Sequence, residues 1–521
     1  MKHTGSLLNN LISYSHSDYY PFHMPGHKRA ALDFPNPWSV DITEIDGFDN
    51  LHHASGILAG LQEEAADLFG AQKSFCLVNG STCGLLAAVS ACVKPGGKLL
   101  MSRNCHKSVY HAVYLRNITP IYLMPKMTDF GIMGSLSPAA VEAALTEQPD
   151  IEAVLVVSPT YDGVVSDIKS IAAIAHAHGI PLIVDEAHGA HLPLAERCTV
   201  FAKAPSSATP DSPVSCDSST GFRRFPASAL RCGADVVIQS LHKTLPAFTQ
   251  TALLHLNSDL VEESVIRRFL GIYQSSSPSY LLMASMDRCM QILRNEGAHL
   301  FTDFRRNLDA FYRRCEALQS VQVFRGTDPA VYDWDDSKLL ISATVLSLSG
   351  QELYDILLHQ YHLQLEMAAG HYALALTSLM DRPEGFERLS AALLELEQQY
   401  RALGQTSASR SVDTAKPLSD GDIDHASNML PPCYGSTWYR IPQQKLTIAQ
   451  ALEQPGRTVK LADAVGAVSL EYLYLYPPGI PLLAPGEVID ETLLGHIVQI
   501  KNAGLTLEGL ADTTNTWIRC W

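Results

Sequence analysis

The sequence predicts an α/β protein built on a mostly parallel β-sheet with helices on both faces. Two observations predict this fold. Short apolar runs alternate with helical patterns between residues 74 and 256, and polar motifs directly follow the apolar runs. Ligands of open parallel sheets bind beyond the carboxyl ends of the strands, so we expect these polar motifs to meet at one edge of the sheet.

The apolar runs are the predicted strands, and the segments between them have helix-start residues followed by apolar spacing. The predicted strands are 75–78, 98–101, 120–124, 153–157, 181–184 and 235–239, with helices at 85–93, 138–145 and 167–178. Further along, 281–294 predicts a helix and 338–346 a strand.

Changes in composition divide the chain into five predicted parts. These are an N-terminal segment (1–55), a large domain (56–330), a small α/β domain (331–403), a linker (404–430) and a C-terminal module (431–521). Residues 196–225 are rich in Ser and Pro and lack periodicity, which predicts a flexible surface insertion in the large domain. The linker is polar and equally aperiodic.

Composition excludes several classes of protein. The 521 residues are 46% apolar and 18% charged, with a net charge of −16, which is typical of a soluble globular enzyme. No basic run predicts nucleic-acid binding, no apolar run could span a bilayer, and the N-terminus lacks the pattern of a signal peptide. The eleven cysteines form no CxxC pair, so we expect no metal centre and a reducing, cytoplasmic location.

Lys243 is the first candidate for chemistry. It lies in Ser240-Leu241-His242-Lys243-Thr244, directly after the predicted strand 235–239. Desolvation at a strand end lowers the pKa of an amine and keeps part of it neutral, as attack on a carbonyl requires. Ser240 and His242 add hydrogen-bonding groups. The alternative is an ordinary exposed loop lysine.

Asp185 is the second candidate. It begins Asp185-Glu186-Ala187-His188-Gly189 after the predicted strand 181–184, where a carboxylate can hold the protonated ring nitrogen of a pyridine cofactor. One alternative is a helix N-cap. The other is the acidic motif of a helicase, which requires a GxxxxGK[ST] phosphate loop; residues 92–99 (CVKPGGKL) lack its first glycine and its final hydroxyl.

Three further motifs follow other strands. Asn79-Gly80-Ser81-Thr82-Cys83-Gly84 precedes a helix, so backbone N–H groups and hydroxyls can bind a phosphate, although an ordinary N-cap has the same pattern. His106 can stack on a planar ring, or is a polar loop residue. Thr160, in SPTYDG, can contact a ring oxygen or form a turn. Together these motifs predict a pyridoxal 5'-phosphate site.

Motifs along most of the chain resemble those of the Orn/Lys/Arg decarboxylase family of fold-type I pyridoxal-phosphate enzymes. They are FHMPGHKR (22–29), DITEIDGFDNLHH (41–53), NGSTCG (79–84), RNCHKS (103–108), SPTYDG (158–163), VDEAHGAH (184–191), QSLHKT (239–244), YQSSSPSY (273–280) and YPPGIPLLAPGE (476–487). The last two are specific to the family. The chain also begins close to the first motif, so the N-terminal wing domain of the large members, and decamers formed through it, are not expected.

The resemblance implies a role for each matching residue. Lys243 forms the Schiff base with the cofactor, Asp185 holds the pyridinium nitrogen, and His106 stacks on the ring. The phosphate is surrounded by Gly80, Ser81, Thr82, Ser240 and His242. His188 lies near the cofactor and the substrate carboxylate. Lys243 or His242 donates the proton to Cα, and no metal is expected. Active sites shared in a homodimer would let Ser276 and Ser277 reach the phosphate of the neighbouring subunit.

The implied reaction is decarboxylation of a basic L-amino acid to its amine and carbon dioxide, feeding polyamine synthesis. Arginine is the first choice of substrate, then lysine, then ornithine. The distal cation needs a carboxylate, for which Asp41, Glu44, Asp46, Glu366 and Glu487 are candidates. Two alternatives are a fold-type I aminotransferase or lyase, and a non-catalytic regulatory protein of decarboxylase-like fold.

Overall fold

The structure, a computed structural model, describes residues 6–200, 224–410, 439–476, 479–502 and 505–521. The chain begins with α1 (Leu7–Ser15), β1 (Tyr20–Phe22) and α2 (Pro37–Val40). Strand β1 pairs in parallel with β13 (Leu363–Leu365). The N-terminal segment is therefore held against the second half of the chain.

A seven-stranded sheet forms the centre of the large domain. Its strands, in spatial order, are β2 (Lys73–Leu77), β9 (Ala252–Leu256), β8 (Val236–Ser240), β7 (Leu182–Asp185), β5 (Ile151–Val157), β3 (Lys98–Ser102) and β4 (Thr119–Leu123). Of these seven strands, β9 alone is antiparallel to the others. The prediction of a mostly parallel sheet is confirmed, and six carboxyl ends share one edge.

Both faces of this sheet are covered. In β5, Val154 and Val156 belong to one buried cluster while Ala153 and Leu155 belong to another, as the alternation of side chains across a strand requires. The covering helices are α3 (Ile57–Phe69), α4 (Gly80–Cys92), α5 (Lys107–Leu115), α6 (Pro138–Glu147), α7 (Ile168–Ala177), α8 (Leu192–Val200), α10 (Glu263–Tyr273) and α11 (Tyr280–Arg314). The short α9 (Leu241–Thr244) follows β8 directly.

A second, four-stranded sheet follows α11. Its antiparallel strands are β10 (Gln322–Val323), β12 (Lys338–Ser342), β15 (Tyr372–Leu376) and β14 (Met367–Ala369), packed with α12 (Gly350–Tyr361) and α13 (Pro383–Arg410). The short strands β6 (Val164–Val165) and β11 (Asp333–Trp334) pair between the two sheets. The predicted domain division at 331 stays a prediction, although β10 lies before it.

Two predicted boundaries differ from the structure. The strand predicted at 338–346 ends at Ser342, because a 3-10 turn begins at Thr344 and leads into the left-handed Ser347. Helix α13 continues to Arg410, past the start of the linker predicted from residue 404, and the extent of that linker stays a prediction. Most of the insertion predicted at 196–225 and the rest of the linker lie outside the described residues.

The C-terminal module has its own apolar core. It contains α14 (Ile448–Leu452), β16 (Arg457–Lys460), β17 (Leu473–Tyr476), β18 (Ile480–Leu483), α15 (Glu491–Asn502), β19 (Thr506–Glu508) and β20 (Trp517–Cys520). In the described ranges, no helix is both long enough and apolar enough to cross a bilayer. Nor does the described part of the chain bring three or more His, Cys, Asp or Glu side chains together as metal ligands.

Candidate active site

A cavity of about 660 Å³ lies where the carboxyl ends of the central strands meet. Its walls come from the segments that follow β2, β3, β5, β7 and β8, and from the second sheet. Ten residues predicted from the sequence line it: Gly80, Ser81, Thr82, His106, Thr160, Asp185, His188, Ser240, His242 and Lys243. The chain therefore brings its separate motifs to one place, as expected for a parallel sheet.

Lys243 lies on α9, one helical turn beyond the end of β8. Its Nζ is 2.8 Å from Nε2 of His188. Burial lowers the pKa of Lys243 to about 8, and the charge of Lys338 adds to the decrease, while nearby carboxylates oppose it. An amine with this pKa is partly neutral near pH 8, which suits attack on an aldehyde.

Asp185 ends β7 and is 3% exposed. Its Oδ1 accepts a hydrogen bond of 3.1 Å from the backbone N–H of Ala187. Burial raises the pKa of this carboxyl group, and the positive charge of Lys243 opposes the increase. A cationic ring nitrogen at this place would stabilise the charged carboxylate in the same way.

His188 lines the cavity and contacts both Lys243 and Lys338. The Tyr161 ring packs against its imidazole, with 4.7 Å between centroids, and its backbone oxygen accepts a hydrogen bond from Lys338 Nζ at 2.8 Å. Burial and then the charge of Lys243 hold the pKa of His188 well below its ordinary value, so the ring is neutral. Because its Nε2 contacts the amine of Lys243, His188 can accept a hydrogen bond from that amine.

The start of α4 has the geometry expected of an anion site. Gly80 has a φ of +72°, a left-handed conformation that a side chain would strain, and it turns the chain from β2 into the helix. Ser81 Oγ lies 2.6 Å from Ser240 Oγ. These hydroxyls, Thr82 and the free N–H groups of a 13-residue helix together supply the donors that a phosphate requires.

Three other predicted residues also line the cavity. His106 caps α5, and its Nδ1 accepts a hydrogen bond from the N–H of Ser108; burial and then Lys243 lower its pKa to about 4. His242 Nδ1 lies 2.9 Å from the carbonyl oxygen of Thr251, and burial lowers its pKa to about 4. Thr160 Oγ1 accepts from the N–H of Val164, so this residue forms a turn as well as lining the cavity.

Sequence comparison identifies the family. The profile described as "Orn/Lys/Arg decarboxylase, major domain" matches residues 6–341, and that of the C-terminal domain matches residues 437–515. The chain belongs to the Orn/Lys/Arg decarboxylase family. The resemblance predicted from the motifs is thus confirmed for both halves of the chain.

Relatives of this decarboxylase-family chain match over nearly its whole length. An arginine decarboxylase of Bacillus subtilis (strain 168) is 29% identical over 99% of this chain and 98% of its own. YaaO of the same organism is 31% identical over 96% of this chain and 95% of its own. The lysine decarboxylase LdcF of Francisella novicida has a TM-score of 0.73 at 20% identity, over 98% of this chain and 80% of that structure, and so shares the fold.

The side chains of this family member fit pyridoxal phosphate. Orn/Lys/Arg decarboxylases have the fold-type I architecture of pyridoxal-phosphate enzymes. His188 lines the cavity, and its Nδ1 is buried without a hydrogen-bond partner among the described residues. Buried polar atoms in a folded protein ordinarily have partners, so an unpaired one at this cavity is consistent with a polar ligand beside it. An amine, a carboxylate and a hydroxyl-rich helix start line the same space.

Several predicted residues lie away from the cavity. Ser276 and Ser277 are exposed and do not line it in the single chain, so their predicted contact across a dimer stays a prediction. None of the five carboxylates considered for the substrate cation lines it either. Asp41 and Asp46 are exposed, and Glu44 also lies outside the lining.

The two remaining carboxylates of that set already have partners. Glu487 pairs with Arg103, and the two side chains are 1% and 0% exposed, respectively. Glu366 accepts hydrogen bonds from Tyr161 Oη at 2.5 Å and from the N–H of Met24 at 2.8 Å. The assignment of the substrate cation to any of these five residues is therefore not supported by their positions.

The sequence interpretation also missed residues that shape the cavity. Asp162, Tyr372 and Tyr439 line it, and Lys338 supports its wall from behind. Lys338 Nζ also contacts the buried carboxylate of Asp335. Asp162 could have been predicted from the sequence, because it lies in the motif SPTYDG, two residues after Thr160. Tyr372 and Lys338 lie in apolar strands of another sheet, and nothing in their spacing indicates contact with the cavity.

Proposed function

We propose that this chain is a pyridoxal-phosphate-dependent decarboxylase of a basic L-amino acid, with arginine as the preferred substrate, then lysine, then ornithine. The observation that carries the proposal is that Lys243 and Asp185 line one cavity together with the anion site at the start of α4. The arginine decarboxylase named above supports the choice of arginine.

Each residue has a proposed part in holding the cofactor. Lys243 would bind its aldehyde carbon, Asp185 its ring nitrogen, and His106 one face of the ring. Ser81, Thr82, Ser240 and His242, with the N–H groups at Gly80, would bind its phosphate. When bound, pyridoxal phosphate supplies an electron-poor ring that stabilises the electron pair left on Cα as carbon dioxide departs.

The chain's own groups would then orient the substrate and move the proton. Lys243 would bind the aldehyde until the substrate amine takes its place, and the amine of Lys243 lies 2.8 Å from Nε2 of His188. The neutral His188 ring would accept a hydrogen bond from this amine, and Lys243 or His242 would supply a proton to Cα. The alignment of the carboxylate relative to the ring selects loss of carbon dioxide over loss of hydrogen.

Incubation of the reconstituted protein with arginine, lysine and ornithine separately tests the proposal. We expect release of carbon dioxide and one equivalent of the corresponding amine, fastest with arginine. Formation of a keto acid would instead identify an aminotransferase. No turnover of any of the three, together with no absorbance band from bound cofactor, would favour a regulatory protein.

Ser81→Ala tests the proposed phosphate site. Loss of one hydroxyl donor to a charged acceptor weakens binding by about 1.5 kcal/mol or more, so we expect the Kd for pyridoxal phosphate to rise by roughly tenfold. Absorbance titration of the cofactor-free protein measures this Kd. Ser264→Ala, on an exposed face of α10, is the matched control. An unchanged Kd for Ser81→Ala would contradict the assignment.

The cellular setting is also a proposal. We place the enzyme in the cytoplasm, where its amine product would feed polyamine synthesis. We also propose a homodimer with shared active sites, in which Ser276 and Ser277 approach the cofactor of the other subunit. Their exposure in the single chain is compatible with such a contact. Light scattering combined with Ser277→Trp, which would obstruct the contact, tests it.

A further inference from the structure

Asp162 presents a buried carboxylate to the same cavity. It follows β5 and is 8% exposed. Its Oδ1 accepts a hydrogen bond of 2.6 Å from Tyr372 Oη, and its backbone oxygen accepts one of 3.0 Å from Trp334 Nε1. Within the described ranges, its carboxylate forms no ion pair and has a single neutral donor.

Burial of this carboxylate destabilises the protein when no ligand is bound. Burial raises the pKa of Asp162 to about 6, and the hydrogen bond from Tyr372 only partly opposes this. At pH 8 the carboxylate is therefore ionised, with no cation among the described residues to offset its desolvation. A ligand that brings a positive charge to this place would remove that cost, and the carboxylate would in turn stabilise the ligand.

Three tyrosines, Tyr161, Tyr372 and Tyr439, line the cavity together with Asp162. The hydroxyl of Tyr372 contacts the carboxylate directly. Burial, and then the charge of Asp162, raises the pKa of both Tyr372 and Tyr439. A guanidinium or ammonium group is stabilised both by aromatic faces and by a carboxylate.

The other carboxylates of the cavity have different tasks. The described lining includes only two besides Asp162, namely Asp185 and Glu352. Asp185 lies beside Lys243, where it fits the ring nitrogen. Glu352 caps the start of α12 through both the hydroxyl and the N–H of Ser349, each at 2.8 Å. Asp162 is thus the buried carboxylate that is left for a substrate.

We propose that Asp162 is a specificity-determining residue that binds the distal cation of the substrate, with Tyr372 holding the carboxylate in place. This inference rests on the proposed decarboxylase function and identifies what its site selects. The amino acid would span the cavity from Lys243, where its α-amine reacts, to Asp162. A neutral side chain of equal length would leave the charge of Asp162 without a cationic partner and would be rejected.

Asp162→Asn tests this inference, because asparagine keeps the volume and an acceptor for Tyr372. We expect kcat/KM for arginine to fall at least about 30-fold, mostly through KM, since a buried charge partner is lost. Citrulline is an uncharged analogue of arginine. Wild type should bind arginine more tightly than citrulline, and Asp162→Asn should reduce this preference by a similar factor. Displacement calorimetry measures the two Kd values. Asp259→Asn, at an exposed carboxylate outside the family motifs, is the control and should change neither value.

Binding of butylguanidine to the cofactor-free protein gives a readout that does not need turnover. We expect wild type to bind it and Asp162→Asn to bind it at least about 30-fold more weakly at pH 8. Thermal unfolding of the same samples checks the fold, and the variant should melt at or above the wild-type temperature because a buried charge is gone. Equal binding by both proteins, or an unchanged KM for arginine, would overturn the inference. If wild type decarboxylates none of the three substrates but still binds butylguanidine through Asp162, the proposed function fails and the cation site stands.

Discussion

Lys243→Ala is expected to lower the rate of decarboxylation by about 10²–10⁴-fold or more and to abolish the absorbance band of the bound cofactor. The variant loses the only covalent anchor we assign to the aldehyde, and with it an amine 2.8 Å from His188 that can carry a proton. Assays of amine formation and absorbance spectra of the reconstituted protein measure the two effects independently.

The two readouts separate a catalytic role from a structural one. Lys94→Ala, at an exposed lysine after α4, should retain both activity and band. Borohydride reduction of the wild type followed by peptide mass spectrometry should find the pyridoxyl group on the peptide that contains Lys243. Labelling of another lysine, or a normal band in Lys243→Ala, would remove the basis of the proposed mechanism.

The site around Lys243 could be predicted from the sequence because local signals were enough. Each motif directly follows a short apolar strand, and parallel strands bring their carboxyl ends to one edge. Ten predicted residues therefore line one cavity, although they are spread from Gly80 to Lys243. The rule predicts the shared edge without knowledge of strand order, whereas the order decides which motifs are neighbours along that edge.

The substrate end of the cavity could not be predicted in the same way. Tyr372 belongs to β15 of the second sheet, and its contact with Asp162 joins residues 210 positions apart. Propensity and periodicity describe neighbours in sequence and carry no information on such a pairing. The five carboxylates chosen from family-like segments were chosen by position in a motif, whereas burial and partners decide which carboxylate is free to bind.

Glu487 is a carboxylate whose burial and partners decide its role. Loss of its partner Arg103 has the largest expected effect on the stability of the protein. Its carboxylate accepts two hydrogen bonds from Arg103, at 2.6 and 2.9 Å, and a third from the N–H of Ala484 at 2.7 Å. Arg103 follows β3 of the central sheet, whereas Glu487 belongs to the C-terminal module. The pair therefore joins two parts of the chain through a contact that excludes water.

Arg103→Met is expected to lower the free energy of unfolding by about 3–5 kcal/mol, because it leaves the charge of Glu487 buried without its partner. The guanidinium also lies over the Tyr122 ring, 4.6 Å from its centroid, and this contact is lost as well. Chemical denaturation followed by fluorescence measures the change. Arg306→Met removes an exposed ion pair on α11 and should change stability by no more than about 1 kcal/mol.

A second substitution distinguishes an unpaired charge from simple loss of packing. Glu487→Gln keeps an acceptor for the N–H of Ala484 but has no charge, so Arg103→Met/Glu487→Gln should be more stable than Arg103→Met alone. If the double variant is instead less stable by the sum of the two single effects, the pair acts only through volume and contacts. Recovery of stability would show that the arginine is required because the carboxylate of Glu487 is buried.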